Sequence, residues 1–119
     1  MKNPAQPQRW FVLGQVATYC EQVAAGSKLA AEVGCSAELT EEVCGAIAAE
    51  DLLHAVRDRG DERVVIYIYK YPFVKELIDW ILAQQQSKAA IWAAGKLFGY
   101  SDAEIARFLE QHALGTPAN

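Results

Sequence analysis

The sequence predicts a mainly α-helical domain, a small bundle of about five helices with at most one short β element. Three observations predict it. Apolar residues recur at three-to-four spacing along most of the chain, the stripe of an amphipathic helix. A single run, residues 64–71 ("VVIYIYKY"), is dense in β-branched and aromatic residues. Several segments are rich in Ala and Gly, which let helices approach closely. With 119 residues, 52% of them hydrophobic and 22% charged, the chain can build one core. The expected organisation is a flexible arm over 1–8, one helical domain over 9–114 and a flexible tail over 115–119.

Taken in order, the first helix is predicted from Arg9 to about Val33. Trp10, Leu13, Val16, Cys20 and Val23 share one face. Gly26 and Ser27 divide it, and Gly34 is the expected stop. A second helix is predicted after Thr40, whose hydroxyl can cap free amides. Glu41 and Glu42 suit its first turn, and its apolar stripe runs on to Val56. It ends in "RDRGDER", around Gly60. Residues 64–71 are apolar on both alternating faces, so a strand there needs burial and backbone partners. Three arrangements would serve: pairing with "RWFVL" at residues 9–13, pairing with a second copy of the chain, or a helix after all. An unpaired edge recruits other chains, which makes a homodimer attractive.

Pro72 is well placed to open the next helix, with Phe73, Leu77, Trp80 and Ile81 as its stripe. "QQQSK" is a polar hinge. An Ala-rich helix follows and stops at Gly99. Ser101 and Glu104 form an S-x-x-E capping box that starts a final helix from about Asp102 to His112. The bundle is expected to close around Trp10, Trp80, Trp92, Phe73 and Phe98.

Residues 89–112 resemble the general helix-turn-helix pattern. Ala94 and Gly95 supply the crossing, Gly99 and Tyr100 the turn, and Ile105 and Phe108 the buried face. In a DNA reader the outward residues of the second helix, including Ser101, Asp102 and Arg107, would meet base edges. Their charge argues against that role. Residues 101–112 hold three acids (Asp102, Glu104, Glu110) against Arg107, a net of −2 with His112 neutral. The whole chain carries −4 and has a pI near 5.1, so nucleic acid and anionic membranes are unfavoured partners. A structural helical hairpin is the better reading.

Asp51 and His54, three apart on the second predicted helix, are the candidate metal ligands. Paired-metal bundles need a second such pair, and none is present. Cys20, Cys35 and Cys44 lack the close spacing of zinc sites. They are expected to be reduced and mostly buried, with Cys35 the most exposed, in a loop. No G-x-S-x-G, P-loop or dinucleotide fingerprint gives a reason to propose catalysis or a cofactor. The start of the chain does not read as an export signal, and no apolar run suits a membrane span, so a cytoplasmic protein is expected. The function expected is a non-catalytic interaction module. It pairs with itself and with an unidentified protein through Tyr67, Tyr69, Tyr71 and Phe73, because tyrosine brings apolar area with a polar tip.

Overall fold

The computed structural model describes residues 6–84 and 87–111. The expected arm over 1–8 lies outside them except for residues 6–8, which form the first turn of a helix. The tail over 115–119 and His112 also lie outside. The elements run α1 (Gln6–Ala25), β1 (Ala30–Ser36), a short 3₁₀ turn (Ala37–Leu39), α2 (Thr40–Ala49), β2 (Leu53–Gly60), β3 (Arg63–Tyr69), α3 (Pro72–Gln84), α4 (Lys88–Leu97) and α5 (Asp102–Gln111). Among the described residues, five helices and a three-stranded antiparallel sheet make an α+β fold, so the expectation of a mainly α bundle is overturned.

The sheet order is β1-β3-β2, with the strongest strand in the centre. Val64, Ile66 and Ile68 face α1 and α2, where they pack with Val16, Val23, Val33, Val43 and Ile47. Val65, Tyr67 and Tyr69 face the other way, against Val74, Ile78 and Leu97 of α3 and α4. A strand buried on both faces must be apolar on both, which accounts for its composition. Both of its edges are satisfied inside the chain: Ile66 lies opposite Val33 on one side and Val56 on the other. The run is therefore neither paired with residues 9–13 nor helical, and it leaves no free edge for a second copy. The edges of the sheet are β1 and β2, and β2 is blunted by Arg57, Asp58 and Arg59.

Two strands replace predicted helix. β1 takes over the Ala-rich stretch after Gly26, and Gly34 is a strand residue opposite Val65 rather than a helix stop. Ala31, Val33 and Cys35 point into the core while Glu32 and Gly34 point away, a period of two too short and too small in side chain to outweigh the helical pattern. Cys35 is consequently buried with Cys20, and Cys44 is the most open of the three thiols. Burial raises the pKa of all three.

The second predicted helix stops at Ala49. Leu52 N–H donates to the Ile47 carbonyl at 3.3 Å and Asp51 N–H to Ala48 at 3.0 Å, with Asp51 at φ 60°. This is a Schellman ending built on an aspartate instead of a glycine, sealed by buried Leu52 near Ile47. Gly26 ends α1 and Gly99 ends α4 with the same pair of hydrogen bonds, at φ 85° and 86°. Thr40 makes no cap, because the 3₁₀ turn runs straight into α2 and Leu39 occupies the cap position. Asp61 and Glu62, both at positive φ, form the two-residue turn between β2 and β3.

The Trp and Phe residues expected at the centre of the bundle do not hold the core. Trp10, Phe73 and Trp80 are exposed, Trp92 is half-buried, and Phe98 flanks the second cluster. The C-terminal hairpin forms as expected. Ser101 N–H donates to Glu104 Oε1 at 2.8 Å and Glu104 N–H to Ser101 Oγ at 3.2 Å, which completes the capping box. Among the described residues no helix is long and apolar enough to cross a membrane.

Candidate functional site

The second face of the sheet is covered incompletely. α3 lies on β3, while α4 and α5 rise beside it, and a groove of about 720 Å³ opens between the helices and the strands. Register explains its floor. Glu32 of β1 and Ala55 of β2 flank Tyr67 of β3, so a small residue and a carboxylate sit on either side of the aromatic ring. Arg57 follows Ala55 on the same face. A bulge then places Arg59 as the extra residue between Asp58 and Gly60, and it lines the groove as well. Ile78, Ile81 and Leu82 form one wall, and Ile91, Phe98 and Ile105 the other. Phe98 stacks on Tyr67 at 6.2 Å between ring centroids.

The far wall depends on close helix packing. Gly95 of α4 is buried where Ile105 of α5 crosses it, so the crossing glycine legible in the sequence is in place. Lys28, after α1, donates to the Phe98 carbonyl at 3.0 Å and lies near the Tyr19 and Tyr100 rings, fastening the turn between α4 and α5 to the first layer.

The polar groups of the groove are unevenly balanced. Burial raises the Glu32 carboxyl above the ordinary range, and Arg57 and Arg59 only partly offset this. Burial likewise raises the Tyr67 phenol, against the pull of Arg57. Glu104 is held below its ordinary value by the Ser101 amide and hydroxyl, so its charge is already engaged. Arg107 lines the mouth from α5.

Glu32 carries a testable pH dependence. Its raised value means that the folded chain binds this proton more tightly than the unfolded chain does. Its contribution to stability is thus complete below the ordinary carboxyl value and is lost as pH rises through the raised one. Glu32→Gln removes that loss. Thermal melts should show the variant gaining on the parent between about pH 4 and about pH 7; an unchanged difference across that range would contradict it.

The sites expected from sequence fare unequally. Tyr67 and Tyr69 are core residues, 3% and 6% exposed, whereas Tyr71 and Phe73 are 46% and 51% exposed and stack at 5.6 Å. Asp51 lies in the turn after α2 and His54 on β2, so the helical spacing that joined them is absent. Among the described residues no group of three or more His, Cys, Asp or Glu side chains could hold a metal. Ser101 is engaged in the capping box, Asp102 pairs with Lys96, and Arg107 faces the groove. Sequence reasoning missed Glu32, Arg57 and Arg59 entirely. The i, i+2 arginines within "AVRDRG" were the available signal, hidden by the helical reading.

Compared with family models, curated proteins and solved structures, the chain matches none.

Proposed function

We propose that this protein is a non-catalytic interaction module of the cytoplasm that pairs with a second copy of itself through the outward face of α3. One observation carries the reading. Phe73, Leu77 and Trp80 stand at i, i+4 and i+7 on α3 and are all exposed, with Tyr71 stacked at the head of the row. Single exposed apolar residues are ordinary, but a row at helical spacing makes a continuous patch. The amphipathic pattern of α3 is thus only half used inside the fold, by Val74 and Ile78.

The surroundings suit a two-fold pairing. Lys70 and Lys75 lie beside Glu76 and Asp79, so a copy turned about an axis at the patch meets both signs of charge. The premise shifts from an unpaired strand edge to a helix face, and Tyr67 and Tyr69 leave the contact set for the core.

The test is mass in solution at micromolar concentration, by light scattering or sedimentation. The parent is expected to be a dimer, and Phe73→Asp with Trp80→Asp a folded monomer. A monomeric parent, or a variant that stays dimeric, would overturn the proposal. DNA reading through α5 has no comparable support, since Ser101 is taken up by the capping box, Asp102 pairs with Lys96, and the helix carries a net negative charge.

A further inference from the structure

We infer that the groove between the sheet and the C-terminal helices is a binding site for a small anionic amphiphile, a medium-chain carboxylate, held by Arg57 and Arg59. The inference does not use the α3 patch: Phe73, Leu77 and Trp80 are exposed, whereas Ile78, Ile81 and Leu82 of the same helix line the groove.

Shape comes first. A volume of about 720 Å³ falls within the range of ligand sites, roughly 300–1,000 Å³, and far exceeds what a single water fills. Its walls are aliphatic and aromatic, from Ile78, Ile81, Ile91 and Phe98, so an alkyl or ring body gains by leaving water. Its polar groups come from two sides, Glu32, Arg57 and Arg59 on the strands and Glu104, Arg107 and Gln111 on α5, and the two arginines of β2 give a ligand a direction.

Charge then selects the head group. Among the described residues neither Arg57 nor Arg59 makes an ion pair within 4.0 Å, although three ion pairs form elsewhere on the surface. The lining holds three arginines, Arg57, Arg59 and Arg107, against two carboxylates, Glu32 and Glu104, so a chain of net charge −4 presents a groove with a basic excess. Guanidinium groups offer paired N–H donors that match a carboxylate, and two of them two residues apart on one strand face can share it. Tyr67, buried in the floor, accepts a hydrogen bond from Arg57 through its hydroxyl and so helps to hold that guanidinium at the groove.

The experiment is calorimetric titration of the full chain with decanoate and, separately, with decanol. The parent is expected to bind decanoate about tenfold more tightly than decanol, the scale of a charge-assisted hydrogen bond. Arg57→Gln with Arg59→Gln should abolish that preference while leaving decanol binding unchanged. A second variant, Ala94→Phe, is expected to weaken both ligands by filling the groove, with circular dichroism confirming that each variant folds. Trp80→Asp separates the two proposals: it should break the dimer and leave decanoate binding intact. Equal binding of decanol and decanoate, a preference that survives loss of both arginines, or no binding at all would overturn the inference.

Discussion

Ile66→Ala is expected to destabilise the protein by about 3–4 kcal/mol, the middle of the range for deleting a buried branched side chain. The residue sits at the centre of the central strand with no exposed surface, between Val33 and Val56 in the sheet and beneath the α1/α2 layer. It can therefore neither relax toward solvent nor be replaced by a neighbour. The cavity left behind lies between two layers joined by that strand, so few atoms are free to move into it. In a domain of this size the loss lowers Tm by about 10 °C or more. Val56→Ala is the control. It is on the same sheet face, one strand over, but 46% exposed, and should cost less than about 1 kcal/mol. Urea unfolding followed by circular dichroism checks both, with unchanged m values expected. Equal effects of the two substitutions would mean that the edge strand is as deeply packed as the centre, contrary to the fold described.

Gly95→Ala is the second large effect, and its sign is opposite to helix propensity. Alanine in a helix interior is favoured over glycine by about 1 kcal/mol. A Cβ at Gly95, however, would lie 2.5 Å from Ile105 Cδ1 and closer still to Cγ1. Ile105 is itself buried and cannot swing into solvent without exposing its apolar surface. Overpacking of this kind costs about 1–3 kcal/mol, so a net loss of up to about 2 kcal/mol is expected. Hydrogen exchange should locate it in α5, which rests chiefly on α4. Ile105→Val added to Gly95→Ala should recover part of the loss, and that non-additivity is the mark of direct contact. A stabilised Gly95→Ala variant would show that the two helices can separate without penalty. Such separation would also reshape the groove, of which both residues form part of the wall.

The elements legible in the sequence were those whose signals are local. Pro72 opens α3, Ser101 and Glu104 cap α5, Gly99 ends α4, and Gly95 marks a crossing. Each rests on atoms within one or two turns of the residue, so the chain announces them wherever it folds. The sheet was half legible. The apolar faces of residues 64–71 stated that something must cover both sides and both edges, but not what. The partners proved to be "AAEVGCS" and "LHAVRDRG", segments of weak strand preference that become strands because a strong one lies between them. The Schellman ending at Asp51 was equally hidden, since aspartate tolerates a left-handed backbone without announcing it as glycine does.

The candidate site was less legible than the fold. Glu32, Arg57 and Tyr67 come from three strands, and only their register brings them to one face. Arg59 joins them through a bulge, a feature of the pairing and not of the residue. Exposure was misread for a related reason: periodicity says which residues share a face, not which face is covered. Val74 and Ile78 went inward while Phe73, Leu77 and Trp80, larger and on the same apolar helix, stayed out. The sequence by itself determined the start of α3, the end of α4, the cap of α5, their helical hairpin and the need to bury one strand on both faces, because these follow from hydrogen bonds and side chains close along the chain. Tertiary structure alone decided which segments became the flanking strands, where the groove opened and which aromatics remained outside, because burial is set by neighbours distant in sequence.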